Sequence, residues 1–210
     1  MIWFLLLIFI GTCLLSIVLN WAARELARRV GLVDRPDGYR KLQTQAIPLA
    51  GGIAIFSVTV LTLGGLMIFD EGSRAIMFAH QSEALGLLLA GTLILILGVL
   101  DDSIGLRGRQ KLLGQIAAAS AIVAFGICIK RISVLGWTFD LGILAGPFTI
   151  FWLLGAINAL NLLDGIDGLV AVLGAILSAA IALMAFVCGH ETIALIASIL
   201  SGGLVGFLRF

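Results

Sequence analysis

Long apolar stretches separated by short polar segments dominate the hydrophobic pattern of this chain. A helix needs about 20 mostly apolar residues to cross the hydrocarbon core of a bilayer, with roughly 17 as the lower limit. The stretches are continuously apolar and do not alternate with polar positions, which disfavours a membrane β-barrel. The pattern therefore predicts an all-α fold, a polytopic transmembrane helical bundle of about seven spans. The predicted spans cover about residues 2–23, 49–69, 84–100, 112–129, 148–163, 169–188 and 192–208.

Composition agrees with the membrane class. The chain is 61% hydrophobic and 12% charged, whereas soluble domains carry about 25% charged residues. The net charge of +1 gives no further information about partners, and no nucleic-acid partner is predicted. The three cysteines fall within or at the edges of predicted spans, without the spacing of a metal site or a disulfide framework.

The distribution of basic residues predicts the orientation of the bundle. Segments 24–47 and 101–111, together with Arg209, hold ten of the thirteen Lys and Arg residues. The positive-inside rule then places the N-terminus outside and both segments in the cytoplasm. No internal repeat or Pro-rich linker interrupts the chain, so residues 1–210 are expected to form a single integral-membrane domain.

The stretch "INALNLLDGIDGLV" (157–170) places four polar residues at the predicted inner end of the fifth span: Asn158, Asn161, Asp164 and Asp167. A three-residue step moves about 60° around a helix, so the first three share one face if the helix persists. Carboxylate and amide oxygens are the ligands that hard cations prefer. The simpler alternative is a solvated hinge between two spans.

A second acidic pair, Asp101 and Asp102, lies within "GVLDDSIGLRGRQK" (98–111), at the predicted inner end of the third span. Adjacent carboxylates repel each other unless a cation or a basic partner compensates. Magnesium is a natural compensator, because it binds through one or two carboxylates plus substrate phosphates. The alternative is an ordinary charged loop, balanced by the neighbouring basic residues Arg107, Arg109 and Lys111.

The segment "DRPDGYRKLQTQAIPLAGG" (34–52) carries Arg40 and Lys41 ahead of the second predicted span. These residues either anchor the chain by the positive-inside rule or form a basic cradle for phosphates. Acids and bases on one predicted membrane face favour magnesium-dependent chemistry between a cytosolic phosphate compound and a lipid one. The spacing of these residues does not identify the substrates.

The three segments together resemble the polyprenyl-phosphate N-acetylhexosamine-1-phosphate transferases of glycosyltransferase family 4. "GLVDRPDGYRK…IPLAGGI", "GVLDD…GLRGRQKLLGQ" and "GPF…INALNLLDGIDGL" occur in the family's order and approximate spacing, over essentially the whole chain. The chain is most similar to the branch that acts on undecaprenyl phosphate with N-acetylglucosamine-1-phosphate, since "QAIPLAGG" differs from the corresponding run of the muramyl-pentapeptide branch.

The resemblance implies a reaction and a location. A UDP-N-acetylhexosamine would give its sugar-1-phosphate to undecaprenyl phosphate and release UMP, which starts surface-glycan or cell-wall synthesis. The expected cofactor is Mg²⁺, with Mn²⁺ as an alternative. The expected location is the bacterial inner (cytoplasmic) membrane, with the active face in the cytoplasm among membrane lipids, and a homodimer is an open alternative.

The resemblance also implies roles for individual residues. The expected catalytic residues are Asp101, Asp102, Asp164 and Asp167. Asn161, Asp164 and Asp101 are the expected metal ligands. Arg40, Lys41, Lys111 and Asn158 are the expected substrate-binding residues. Whether an aspartate acts as a nucleophile or as a base is left open.

Two features depart from the family pattern. Gln43 stands where the family commonly has His, and glutamine does not titrate. The chain ends at "GFLRF", before a G-D-x-G-S segment that family members carry. The expectation is an N-terminal part of such an enzyme, and an inactive fragment is one alternative. A cation-binding transporter is the other, although transporters usually place such groups near the bilayer midplane.

Overall fold

The computed structural model describes residues 2–30, 33–34, 47–48, 51–163 and 168–210. Helices dominate this part of the chain. They are α1 (Ile2–Val30), α2 (Gly51–Phe69), α3 (Glu71–Ala79), α4 (Gln81–Ile104), α5 (Gly108–Ala124), α6 (Ala145–Leu163), α7 (Leu169–Val187) and α8 (Glu191–Phe207). The strands form two antiparallel pairs: β1 (Val33–Asp34) with β2 (Ile47–Pro48), and β3 (Arg131–Val134) with β4 (Trp137–Asp140).

The predicted all-α polytopic membrane fold is confirmed. Within the described residues, five helical segments are long and apolar enough to cross a membrane, and α8 is a shorter apolar helix. The long segments are Ile2–Arg29, Gly51–Phe69, Gln81–Ile104, Gly142–Leu163 and Leu169–Val187. The exact number of spans and the outside position of the N-terminus stay predictions.

The elements differ from the sequence prediction at several points. The predicted fourth span, 112–129, corresponds to α5, which ends at Ala124 because the chain turns at Gly126 with a φ of 94°. The short helix α3 and the β3–β4 hairpin were not predicted, since neither contains an apolar run long enough for a membrane span. Helix α1 continues through the first basic residues of the predicted loop, with Arg28 and Arg29 in its last turn.

Contacts divide the chain into two compact units, each described by itself. The first unit comprises Met1–Ala79 and Ile166–Phe210, and α8 packs within it against α1, α2 and α7. The approach of α8 to α1 depends on Gly202 and Gly206, because a Cβ there would overlap the main-chain oxygens of Phe9 and Cys13. Such small-residue contacts are typical of helix pairs in membranes.

The second unit, His80–Gly165, contains α4, α5 and α6. Helix α5 packs against both of its neighbours and is joined to α4 by the short connection Gly105–Arg107. The end of α4, the start of α5 and the end of α6 therefore lie at the same end of this unit. The expectation of one domain over residues 1–210 stays a prediction.

Candidate active site

The end of α4 fixes the carboxylate of Asp101. Gly105 terminates the helix with a φ of 65°, a left-handed conformation that glycine adopts without strain. The amide of Gly105 donates to the main-chain oxygen of Asp101 at 2.9 Å, and the amide of Leu106 donates to Asp101 Oδ1 at 3.1 Å. The turn thus holds one carboxylate oxygen and leaves Oδ2 for another partner.

That partner is Lys111, in the first turn of α5. Its Nζ donates to Asp101 Oδ2 at 3.0 Å and to Asn161 Oδ1, near the end of α6, at 3.2 Å. The side chains of Lys111 and Asp101 are each 27% exposed, so the ion pair is only partly shielded from solvent. One ammonium group therefore joins the ends of three helices.

A second polar contact lies one helical turn further along α5. Asn158 Nδ2 donates to Gln115 Oε1 at 2.9 Å and to the main-chain oxygen of Leu154 at 2.8 Å. Gln115 Nε2 donates back to Asn158 Oδ1 at 3.4 Å. Gln115 is only 2% exposed. The two amides thus satisfy each other in an otherwise apolar helix contact.

Asp101, Lys111, Gln115, Asn158 and Asn161 form what we call the polar cluster. Lys111 and Gln115 are four residues apart on α5, and Asn158 and Asn161 are three apart on α6, so each pair shares a helix face. The predicted common face of the two asparagines is therefore observed. Gln115 was missed by the sequence reasoning, although an amide one turn after Lys111 within an apolar run was a usable signal.

The other predicted site residues contribute less to this picture. Asp102 follows Asp101 in the last turn of α4 and is exposed. Arg40, Lys41, Asp164 and Asp167 lie outside the described residues, and so does Gln43. The roles assigned to all these residues from the sequence stay predictions, as does substrate binding by Asn158.

The chemistry of the cluster fits a hard cation. Asp101 Oδ2 and Asn161 Oδ1 already converge on one positive charge, the Lys111 ammonium. A carboxylate and an amide oxygen are ligands that Mg²⁺ accepts. Within the described ranges, no group of three or more His, Cys, Asp or Glu side chains is placed to hold a metal. A complete ligand set would therefore need further oxygens, from water, substrate or the undescribed acids.

The polar cluster lies in a part of the chain that matches a known protein family. The model of the family described as glycosyl transferase family 4 matches residues 84–210. The match covers more than half of the chain and includes every residue of the polar cluster. The chain belongs to glycosyl transferase family 4.

Proteins with curated names are similar to this chain over most of its length. A probable undecaprenyl-phosphate N-acetylglucosaminyl 1-phosphate transferase of Bacillus subtilis is 32% identical over 204 residues, 96% of this chain and 54% of that protein. The undecaprenyl-phosphate alpha-N-acetylglucosaminyl 1-phosphate transferase of Escherichia coli K12 is 34% identical over 199 residues, 90% of this chain and 50% of that protein.

A relative from the second branch is similarly distant. The phospho-N-acetylmuramoyl-pentapeptide-transferase of Thermoanaerobacter sp. X514 is 32% identical over 196 residues, 87% of this chain and 58% of that protein. The family resemblance predicted from the sequence is thus confirmed. The chain spans about half the length of the curated relatives that it matches.

Proposed function

We propose that this protein takes part in transferring N-acetylglucosamine-1-phosphate from UDP-N-acetylglucosamine to undecaprenyl phosphate at the cytoplasmic face of the bacterial cytoplasmic membrane. The single observation that carries the proposal is the pair of hydrogen bonds from Lys111 to Asp101 and Asn161, which connects the ends of three helices. All three residues lie in the range that the family model matches. The substrate class is inferred from the activities for which the relatives are named. The product would start surface-glycan or cell-wall synthesis.

The proposed reaction exchanges one phosphoanhydride bond for another. An oxygen of the lipid phosphate attacks the phosphorus that carries the sugar, and a new P–O–P bond forms. The bond between that phosphorus and the bridging oxygen breaks, and UMP leaves with the bridging oxygen and its electron pair. No oxidant or reductant is needed. Such transfers depend chiefly on positioning and on neutralisation of phosphate charge.

The polar cluster offers both kinds of assistance. The Lys111 ammonium carries three donors on a flexible stem, and two of them are used in the structure, on Asp101 and Asn161. In the proposed reaction the third donor would bind a phosphate oxygen. Asp101, held by the turn at Gly105, would keep the ammonium in place and orient the attacking lipid phosphate.

Magnesium fits this arrangement in its ligand chemistry. Asp101 and Asn161 would hold the ion, together with Asp164 if that side chain reaches them. When bound, the ion would supply positive charge against the repulsion between the two phosphate substrates. Mn²⁺ prefers the same oxygen ligands. The ion-pair partner Lys111 would then interact chiefly with phosphate.

Further contacts are expected from residues outside the cluster. The roles proposed for Asp102 and Asp167 as catalytic residues, and for Arg40 and Lys41 as substrate-binding residues, rest on the family resemblance alone. The cytoplasmic location rests on the basic segments 24–47 and 101–111 and the positive-inside rule. A homodimer is compatible with this proposal and is not required by it.

An assay of isolated membranes tests the proposal. Membranes that contain the product of the complete reading frame are incubated with radiolabelled UDP-N-acetylglucosamine, undecaprenyl phosphate and Mg²⁺. We expect UMP and a lipid-linked sugar phosphate in equal amounts, and neither product when the lipid phosphate or the metal is withheld. Release of sugar without lipid-linked product, or no reaction with any UDP-N-acetylhexosamine, would overturn the proposal.

A further inference from the structure

The β3–β4 hairpin lies at the other end of the second unit from the polar cluster, and the proposed reaction does not use it. Its register pairs Ile132 with Phe139 and Val134 with Trp137. Directly opposed residues of an antiparallel pair project from the same face of the sheet. These four apolar side chains therefore share one face.

The opposite face of the hairpin is polar. It carries the pairs Arg131 with Asp140 and Ser133 with Thr138, and the two hydroxyl groups of the second pair lie 3.1 Å apart. The turn, Leu135–Gly136, has positive φ angles of 50° and 85°, as a tight type I′ turn requires. The hairpin is thus amphipathic across its two faces, and its turn is apolar at Leu135.

The apolar face is exposed in this chain. Trp137 is 74% exposed and Leu135 at the turn is 96% exposed, and Val134 and Phe139 are more than half exposed as well. A two-stranded hairpin with no packed face is marginally stable in water. Exposed apolar faces of this kind are typical of surfaces that contact a membrane or another protein.

The connection of the hairpin to α6 indicates which surface could contact its apolar face. The candidate span Gly142–Leu163 begins two residues after β4 ends. At about 1.5 Å per residue this span is about 33 Å long, close to the roughly 30 Å of a hydrocarbon core. The hairpin base therefore lies in the headgroup region, which is about 5–7 Å thick on each side.

Hydrogen bonds hold the hairpin base next to the start of α6. The amide of Leu141 donates to the oxygen of Lys130 at 2.9 Å, which closes the hairpin. The amide of Ile129 donates to Oγ1 of Thr149, a buried residue in the first turns of α6, at 2.9 Å. The base thus stays next to the start of the span, and the strands, about 13 Å long, remain within reach of the bilayer surface.

The charges at the base favour one kind of lipid. Lys130 and Arg131 are exposed at the start of β3, and Asp140, the acid opposite Arg131, accepts a hydrogen bond from the amide of Gly142 at 3.0 Å. The base therefore carries one excess positive charge, which is complementary to anionic headgroups. An aromatic ring between apolar and basic groups is typical of a membrane–water interface.

We infer that the β3–β4 hairpin is a membrane-interface anchor, which lays Ile132, Val134, Trp137 and Phe139 on an anionic phospholipid surface. The inference goes beyond the proposed transfer reaction and does not depend on it. Its consequence is to fix the start of α6 relative to the bilayer, and hence the depth at which Asn158 and Asn161 lie near the other end of the same helix.

Site-directed spin labelling tests the inference on the full chain. A cysteine-free background replaces Cys13, Cys128 and Cys188, and single cysteines are placed at Val134 or at Ser133. The two positions are adjacent and lie on opposite faces, so each is the matched control of the other. The labelled proteins are reconstituted in phosphatidylcholine vesicles with and without phosphatidylglycerol.

We expect the Val134→Cys label to collide with lipid-soluble oxygen far more often than with a water-soluble nickel complex, and the Ser133→Cys label to show the reverse. Phosphatidylglycerol should move the Val134→Cys label deeper, and this shift should be lost in the Lys130→Gln/Arg131→Gln background. Equal nickel accessibility at both positions would overturn the inference. Shielding of the Val134→Cys label from both reagents would also overturn the inference. Dipolar broadening of the spectrum would then show that a second copy of the chain covers the hairpin. Without such broadening, the cover would be another protein segment. Deep insertion that does not depend on phosphatidylglycerol would overturn the choice of an anionic surface.

Discussion

The buried core of the first unit and the polar cluster of the second use polar side chains between helices in different ways. In the first unit, Ser16 Oγ donates to the main-chain oxygen of Gly203 at 2.6 Å, and Ser201 Oγ donates to that of Ala175 at 3.0 Å. In the second unit, the contacts of Lys111 with Asp101 and Asn161, and of Gln115 with Asn158, join side chains to side chains.

This difference separates contacts that stabilise helix packing from contacts that could take part in a reaction. The serine hydroxyls are neutral and buried, and their acceptors are main-chain oxygens that no substrate could compete for. The Lys111 and Asp101 side chains are charged, lie at helix ends and keep about a quarter of their surface exposed. Their partners are side-chain oxygens, which a phosphate or a cation could engage. Polar residues at a membrane edge therefore indicate a functional site more strongly when their hydrogen-bond acceptors are side chains than when they are main-chain oxygens.

The largest effect is expected at the charged centre of the second unit. Lys111→Gln removes the ammonium that joins three helix ends and should lower the transfer rate by about 10²-fold or more, the usual cost of losing one preorganised donor. Arg109→Gln is the matched control, because it removes the same charge from an exposed position of the same helix. Equal rates for the two variants in the membrane assay would contradict a role for Lys111 in the site.

The next effect is expected in the first unit and concerns stability. Gly206→Val places a side chain where α1 already contacts α8, at Cys13 and Ser16, and overpacking of this kind costs about 1–3 kcal/mol. Thermal unfolding in detergent, followed by light scattering or size exclusion, measures the loss. Gly64→Val is the control, since a Cβ there meets no atom within 4 Å. Equal midpoints for both variants would show that the α1–α8 approach is looser than described.

A smaller effect is expected for the amide pair formed by Gln115, which is buried, and Asn158. Gln115→Leu removes the partner of Asn158 on α5 and should lower stability by about 0.6–1.7 kcal/mol, the range for polar contacts between membrane helices. The loss of alignment between Lys111 and Asn161 should reduce the transfer rate by about 10-fold.

The double variant Gln115→Leu/Asn158→Leu distinguishes positioning from mere stability. Removing both partners of a buried hydrogen bond can be nearly neutral, so the unfolding midpoint should recover toward that of the wild type. The transfer rate should stay low, because the α5–α6 register is no longer specified by the amides. Recovery of both quantities would reduce the pair to a structural contact.

The smallest effect on stability is expected at Asp70 in the first unit, whose side chain is hydrogen-bonded to a main-chain amide. The Ser73 amide donates to Asp70 Oδ2 at 2.7 Å, at the start of α3, and this bond lowers the pKa of the Asp70 carboxyl from its ordinary value of 3.8. A lowered pKa means that the contribution to stability is present above 3.8 and is lost as the pH falls through the folded-state pKa.

Hydrogen exchange at the α3 amides measures this contribution. Asp70→Ala should speed exchange near neutral pH, and the difference from wild type should shrink at the acidic end. Asp70→Asn keeps the acceptor without the titration and should remove the pH dependence. A difference between Asp70→Ala and wild type that is the same at both pH values would contradict the account.

The hydrophobic pattern was sufficient to predict the membrane class, because runs of about 20 apolar residues have few alternatives in water. It also predicted that Asn158 and Asn161 share a helix face, because a three-residue step is a local property. The partners of these residues were not predictable, because the Lys111–Asn161 and Gln115–Asn158 contacts join residues 50 and 43 positions apart in the chain. Such contacts follow from the packing of α5 on α6, which no single-helix pattern encodes.

The amphipathic hairpin shows the same limitation in another form. The strands Arg131–Val134 and Trp137–Asp140 each alternate polar and apolar positions, but over only four residues, the shortest run that indicates a strand. The apolar and polar faces appear only when the register of both strands is known. The end of α5 at Ala124, one turn before the predicted span ends, follows from the turn at Gly126.

A double-mutant cycle on Asp101 and Lys111 tests the central claim most directly, namely that the two side chains act as one unit of a transfer site. The transfer rates of Asp101→Asn, Lys111→Gln, the double variant and wild type are compared at saturating Mg²⁺, in membranes with matched protein content. We predict that the double variant is no slower than the slower single variant, because residues that act together lose their effect together. Losses that multiply, or an Asp101→Asn variant with the wild-type rate, would contradict the claim.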